Sequence, residues 1–343
     1  MKGRSTDPQG ASARDRKAEH LALSLQAGMQ SARNPFDDYV FEHEALPELD
    51  FDEIDTRARF LGKPLAAPLL ISSMTGGTEA AAAVNRNLAL GAERAGIALA
   101  VGSQRKALED PAHAASFRIR DAAPTIPLLA NLGAVQLNYG FGLDACEAAV
   151  RMIDADALVF HLNPLQEAIQ PEGQRNFSGL LAKMEAVAAR LSVPVIVKEV
   201  GSGITRETAW ALAGRGLRII DVAGVGGTSW ARIEGRRADD DDLGALFAGW
   251  GIPTPESIRQ VRAVPGVTLI GSGGIRSGLD AAKALALGAD LVGMAAPFLP
   301  PALDAPEAVV AKAERVVHEL KIAMFCLGAR TLDDLKRARI VRR

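Results

Sequence analysis

A closed barrel of eight parallel strands, each followed by a helix, is the fold this sequence predicts: an α/β architecture of the (β/α)8 TIM barrel type. Three observations predict it. Short aliphatic runs alternate eight times with longer amphipathic stretches. The runs are apolar on both sides, as strands of a sheet covered on its faces must be. The turn after the first run, Met74-Thr75-Gly76-Gly77-Thr78, lacks the G-x-G-x-x-G spacing that an open doubly wound sheet would place there.

The runs, in order, are Pro68–Met74, Ile97–Gln104, Pro127–Leu132, Ala157–Leu162, Pro194–Val200, Ile219–Ala223, Thr268–Ser272 and Leu291–Ala295. Helical patterns lie between them at Glu79–Ala95, Leu143–Ile153, Phe177–Leu191, Thr205–Arg215, Glu256–Ala263 and Ser277–Leu287. Two regions fall outside the rhythm. Residues 1–67 form a polar N-terminal arm whose first dozen or so residues carry a disordered composition. Within it, Phe36–Phe41 and Phe51–Phe60 suit short strands or a closure of the barrel's lower end. Residues 68–343 form the barrel, interrupted by a long connection at 229–251 that contains Arg236-Arg237 and Asp239–Asp242. Long loops at the functional end of a barrel are often lids. The Asp run reads as a solvated acidic tip, since consecutive Asp residues rarely converge on one ion.

Composition excludes several classes. The chain has 343 residues, 48% hydrophobic and 23% charged, with a formal net charge of −2. No basic excess draws it to nucleic acid or an acidic membrane, and no apolar run is long enough to span one. The N-terminus has no apolar signal core, so cytoplasmic is the expected location. The two cysteines, Cys146 and Cys326, lack metal-ligand spacing and read as buried thiols of a reducing compartment.

The densest polar stretch is His161-Leu162-Asn163-Pro164-Leu165-Gln166-Glu167, directly after Ala157–Phe160. Taken singly these residues could be a satisfied core histidine, a plain turn and an exposed helix start. Together, at the end of a buried strand, they read as a site, because a barrel's catalytic groups sit at the C-terminal ends of its strands. The other strand ends add Ser72-Ser73-Met74-Thr75, then Ser103-Gln104-Arg105, then Asn131 and Lys198. A lysine ending the apolar run Val195–Val197 is costly unless it faces an anionic or electron-rich partner. After strands six, seven and eight come Gly224–Thr228, Gly271–Arg276 and Gly293–Pro297. Glycines at the last strand ends, opening onto helix N-termini, commonly bind phosphate through backbone N–H groups. Small hydroxyls and amides on one side and a phosphate cradle on the other suggest a flat ligand with a phosphate tail, FMN.

These motifs, with Arg16-Lys17-x-x-His20 in the arm, Ser73–Gly77, Gly102–Arg105, Asn131–Gly133, Lys198–Gly201 and the run Asp221 to Glu234, resemble the type 2, FMN-dependent isopentenyl-diphosphate isomerase family. The resemblance spans residues 16 to about 297 in order. It implies that Ser72, Ser73, Met74, Thr75, Ser103, Asn131, Lys198 and Thr228 hold FMN, with Gly273, Gly274, Ala295 and Ala296 around its phosphate. It further implies that Arg16, Lys17, Ser103, Gln104, Arg105, His161, Asn163 and Gln166 bind a small-molecule diphosphate substrate. Glu167 would hold Mg2+, and Gln166, His161 and Glu234 would act nearest the chemistry. Reduced FMN would be the active form, with NAD(P)H as reductant, in a homo-oligomer. Two alternatives share parts of this pattern. An FMN-dependent 2-hydroxy-acid oxidase would use the same barrel but pair a His base with an Arg carboxylate clamp. A non-enzymatic flavin or phosphate sensor would have no use for the His161–Glu167 cluster.

Overall fold

The computed structural model describes residues 19–20 and 22–343. In chain order their strands are β1 (Tyr39–Phe41), β2 (Ala58–Phe60), β3 (Lys63–Leu65), β4 (Leu69–Ile71), β5 (Ala98–Ala100), β6 (Leu128–Gly133), β7 (Ala157–Leu162), β8 (Val195–Glu199), β9 (Ile219–Asp221), β10 (Thr268–Ser272), β11 (Leu291–Met294) and β12 (Ile340–Arg342). Strands β4 to β11 close a parallel barrel, each pairing with the next and β11 returning to β4. All eight predicted runs are its staves. Several are shorter than the apolar pattern: Pro68–Met74 contributes only Leu69–Ile71 to the ladder, and Ile97–Gln104 only Ala98–Ala100. Burial continues past the last ladder bond through Val101 and Gln104, so hydrophobicity overstates strand length where the chain leaves the ladder but stays under the helices.

The helices that cover the staves are fixed by local signals. Helix Glu79–Ala95 starts where the Thr78 hydroxyl accepts the Ala81 N–H at 3.1 Å and stops at Gly96, whose φ of 63° suits glycine. Helix Gly278–Ala286 begins with a reciprocal capping box between Ser277 and Asp280. Together the helices and strands enclose one main apolar layer outside the barrel. A smaller core fills the barrel itself, built from Leu70, Leu129, Val159, Ile196, Ile270 and Leu291.

Phe60 and Leu65 belong to that inner core. They come from the β2–β3 hairpin, which therefore plugs the barrel's N-terminal end. The arm does a second job at the other end. Ser31 donates its N–H to Gly227 at 2.8 Å and Ser229 donates to Met29 at 2.8 Å, so residues 29–31 strap across the β9 loop. The two aromatic segments of the arm thus split into a turn and a strand each. Pro35–Asp38 is a 3-10 turn before β1, which pairs with β12, and Phe51–Glu53 is another before β2.

The connection at 229–251, expected as a loop, contains two helices, Trp230–Arg237 and Asp241–Leu246. The run of Asp residues explains the second one, because Asp240 caps it by accepting the Leu243 N–H at 2.9 Å. The helices meet at glycines: a Cβ on Gly235 would lie 2.6 Å from the Gly244 Cα, an approach that no side chain permits. Cys146 is buried as expected, and burial pushes its thiol up to about 12. Cys326 is only half-buried, because it sits at the end of helix Pro306–Phe325 where packing stops. Among the described residues no helix is long and apolar enough to cross a membrane.

Candidate active site

The C-terminal ends of the staves bring most of the described predicted residues to one mouth, and hydrogen bonds join several of them into chains. Asn131, at 2% exposure on β6, is the first hub. Its Nδ2 donates to Ser73 Oγ at 2.7 Å, and its Oδ1 lies 2.8 Å from His161 Nδ1. With the amide so oriented, His161 must carry its proton on Nδ1 to donate there, which turns Nε2 toward other partners. Nε2 has little room: a Cβ on Gly133 would stand 3.1 Å from it, so glycine there makes space for the ring.

Gln104 corrects an expectation. It is fully buried, its Oε1 accepts the Asn131 N–H at 3.0 Å, and its Nε2 donates to the Ala149 carbonyl at 2.9 Å. The side chain braces the β5 connection against helix Leu143–Ile153 and does not face the mouth where the expected substrate would lie. The β5 ladder ends at Ala100, so strand alternation no longer sets the direction here: Ser103 is half-buried while Gln104 turns to the helical layer. Arg105 lies at the rim, bonded to Glu109 at 2.7 Å and to Gln174 Oε1 at 3.1 Å. Arg16 and Lys17, and the expected disorder ahead of them, lie outside the described residues.

The β7 cluster turns into helix Pro164–Ile169, which places Asn163, Gln166 and Glu167 on adjoining turns. Asn163 Nδ2 donates to Gln166 Oε1 at 3.2 Å and to Glu167 Oε1 at 3.0 Å. Its Oδ1 is buried with no partner. Glu167 is 6% exposed, and its Oε2 accepts from Gln170 Nε2 at 2.8 Å and from the Gln174 N–H at 2.6 Å. Two or more donors on one buried carboxylate hold it rigid, and each oxygen retains a further lone pair. Gln166 in turn donates Nε2 to Glu234 Oε1 at 2.7 Å. Glu234 is completely buried in helix Trp230–Arg237. Burial works to raise its pKa, but His20, Gln166 and Arg237 more than offset it, so the carboxyl is held below the usual range. His20 Nε2 lies 2.9 Å from Glu234 Oε1 and its ring meets Trp230 edge-on at 5.2 Å.

Lys198, one residue before the end of β8, is half-buried, 3.4 Å from Asp221 Oδ2 and donating to the Glu199 carbonyl at 2.9 Å. Asp221 is its register partner on β9 and also accepts from Ser272 Oγ. The electron-rich partner that the buried lysine required therefore includes a carboxylate of its own barrel. Glu199, pointing the other way, is buried too. Its Oε2 accepts the N–H groups of Val200, Gly201 and Ser202 at 2.5–2.6 Å, while burial pushes the carboxyl up to about 7.

On the glycine side, Gly273 and Gly274 have φ of 102° and 75°. A Cβ on Gly273 would fall 2.2 Å from the Gly224 carbonyl oxygen, and one on Gly274 would fall 2.4 Å from the Gly226 backbone. The β9 and β10 loops therefore stack backbone on backbone. Among the described residues no acceptor takes the N–H groups of Gly273, Gly274, Ala295 or Ala296. Four free donors at neighbouring strand ends are what a phosphate needs. Ser72 Oγ is likewise buried without a partner. Met74 packs on the outer core, Thr75 is buried, and the Thr228 hydroxyl accepts from Gln30 Nε2 at 2.9 Å.

Four residues of this constellation escape a reading of the sequence: Asp221 as partner of Lys198, Gln30, Gln174 and Arg237. Only Asp221 leaves a signal, an acid closing the apolar pair Ile219-Ile220. Gln30, Gln174 and, in its contacts with Glu19 and Glu172, Arg237 act across separations that no motif spans.

The sequence profile of the FMN-dependent dehydrogenase family matches residues 21–122 and 162–342. An isopentenyl-diphosphate delta-isomerase of Nostoc sp. is 50% identical over 337 residues, covering 96% of each chain. Its namesake in Paracoccus zeaxanthinifaciens is 51% identical over 340 residues, covering 96% of this chain and 97% of its own. Among solved structures, a mandelate oxidase variant with an FMN adduct superposes with a TM-score of 0.63 at 19% identity, over 98% of this chain and 97% of that one. That likeness concerns the fold alone. Identity near one half over almost the whole chain, on an FMN-type barrel, makes this chain a member of the type 2, FMN-dependent isopentenyl-diphosphate delta-isomerase family.

Proposed function

We propose that this chain interconverts isopentenyl diphosphate and dimethylallyl diphosphate at the barrel mouth, on reduced FMN and with Mg2+. The observation that carries the reading is the Gln166–Glu234 pair, a buried, charged carboxylate held one hydrogen bond behind a half-buried neutral amide at the end of the β7 cluster. The reaction adds a proton to the terminal alkene carbon and removes one from C2, with no net exchange of electrons. The site must therefore tolerate developing positive charge while excluding water. A fixed anion such as Glu234 stabilises such charge without reorganising, because its own donors already hold it.

The residues divide the remaining work. Gly273, Gly274, Ala295 and Ala296 would hold the FMN phosphate through their free N–H groups, with Ser72, Ser73, Thr75, Ser103, Asn131 and Lys198 along the ring and ribityl chain. When bound and reduced, FMN supplies an electron-rich ring with nitrogens that give and take a proton. Glu167 would hold Mg2+, which would supply positive charge to offset that of the substrate diphosphate, and the unpartnered Asn163 Oδ1 beside it suits a hard cation that prefers oxygen neighbours. Arg105 at the rim, with Arg16 and Lys17 of the arm, would neutralise the diphosphate. His161, oriented through Asn131, would meet the substrate with Nε2. The connecting helices at 229–251 would cover the site as a lid.

A cytoplasmic setting and a homo-oligomer, the latter checked by sedimentation, complete the proposal. The deciding experiment incubates the reduced flavoprotein with isopentenyl diphosphate and Mg2+. Dimethylallyl diphosphate should form with far less than one NAD(P)H oxidised per product. One-to-one stoichiometry would overturn the isomerase reading in favour of an oxidoreductase.

A further inference from the structure

Arg237 looks in the sequence like half of a solvated pair, and its neighbour Arg236 is indeed exposed and bonded to Asp241. The Arg237 side chain, however, is only 8% exposed. Its fork meets carboxylates from three parts of the chain. Nη1 donates to Glu234 Oε2 at 2.6 Å, Nη2 to Glu172 Oε1 at 2.8 Å, and Nε to Glu19 Oε2 at 3.1 Å. One guanidinium thus joins the helix carrying Glu234, the connection that follows the β7 cluster, and the N-terminal arm.

We infer that Arg237 is the positioning residue of this active site, fixing Glu234 and through it the amide of Gln166, and that docking of the arm at Glu19 completes the arrangement. The inference rests on the reading that Gln166 and Glu234 lie beside the reacting carbons. Glu234 Oε1 is already engaged by Gln166 and His20, so Oε2 depends on Arg237. Without that donor the buried carboxylate is free to rotate or to take up a proton. Either change releases Gln166, whose amide presents a donor or an acceptor according to which way it is turned. The planar fork serves the three carboxylates from three separate nitrogens, whereas a lysine must direct its three donors from one atom.

The groups facing Glu234 and its clamp are His20 and Glu19 from the arm, Gln166 and Glu172 from the β7 side, and Arg237 from its own helix. Asp240 and Asp241 stand on the next helix. Glu19 is 52% exposed, which makes the arm contact the weak and reversible member of the set. Binding of substrate to the arm would therefore be felt at Gln166 through this one side chain.

The test uses the full-length holoenzyme and four variants: Arg237→Gln, Arg237→Lys, Glu19→Gln and Glu234→Gln. Arg237→Gln should keep its flavin and lower kcat by roughly a hundredfold, the cost of misplacing a catalytic group by about an ångström. The acid limb of its kcat profile should move to higher pH. Arg237→Lys should recover part of kcat, and Glu19→Gln should raise KM a few-fold while kcat stays near wild type. An Arg237→Gln enzyme with kcat within twofold of wild type and an unmoved pH profile overturns the inference. Should that variant fail to fold, Glu19→Gln decides, and an unchanged KM overturns it. Full activity in Glu234→Gln would instead sink the underlying reading of the site.

Discussion

On the β9 to β11 side of the mouth the chain offers little but backbone: Gly226, Gly227, Gly273 and Gly274, where a Cβ has no space, and Ala295 and Ala296, which with Gly273 and Gly274 present free N–H groups. On the β6 to β8 side it offers side chains, Asn131, His161, Asn163, Gln166, Glu167 and Lys198, each oriented by a second polar group. The first half recognises by what is missing. The second recognises through a network in which every member depends on its neighbour. The two halves should therefore fail differently when mutated: the backbone half by losing the bound group altogether, the side-chain half by losing rate while the bound group stays.

The largest expected effect is on the backbone half. Gly273→Val places a branched side chain where φ is 102° and the Gly224 oxygen is 2.2 Å from the Cβ, so the β10 loop must move. Purified wild type should carry flavin absorbance and the variant should carry none, even after FMN is added. Flavin retained by the variant would break the comparison at its root.

Next comes Glu234→Gln on the other half. It should keep FMN and lose about two to four orders of magnitude in kcat, the range over which a placed acid–base group contributes. The amide cannot accept from Arg237, His20 and Gln166 as an anion does. Loss of flavin from this variant would show that the halves are not separable.

Glu167→Gln sharpens the same boundary. Activity should collapse at low Mg2+ and recover in part at high Mg2+, because a neutral amide competes poorly with water for the ion. Titrating activity against Mg2+ at constant flavin content measures this, and a wild-type Mg2+ dependence would remove Glu167 from the metal site.

The smallest effect concerns stability between the halves, at Glu199. Its carboxyl is raised from 4.5 to about 7 in the folded protein, chiefly by burial. The folded state then holds a proton more tightly than the unfolded one, so stability from this group is fully present below pH 4.5 and falls as pH rises toward 7. The loss is about 3 kcal/mol at most. Denaturant midpoints of wild type and Glu199→Gln across pH 5 to 8 should converge at the acid end and separate at the basic end. Parallel curves would show that the three backbone N–H donors keep Glu199 ionised throughout.

Much of the barrel was legible because its signal is local. Strand runs such as Ala157–Leu162 and Thr268–Ser272 are short, apolar and bounded by turn residues, and they match the staves without adjustment. The His161–Glu167 cluster was legible for the same reason, since strand end, Asn-Pro turn and helix start are contiguous. Gln104 was misread because motif position says nothing about which way a residue points once the strand ladder ends. The helices at 229–251 hid behind a charge run whose Asp240 serves as a cap.

The sequence by itself determined the order of elements, the glycine half of the mouth and the polar cluster of the fourth unit. Those depend on periodicity and on backbone freedom, which each residue carries with it. Tertiary structure alone decided that Lys198 meets Asp221, that Gln104 turns inward, and that Arg237, already three residues from Glu234 on one helix, also gathers Glu19 and Glu172. The physical reason is that a buried charge must find its partner in space, and in a closed barrel the neighbour in space is often far away along the chain.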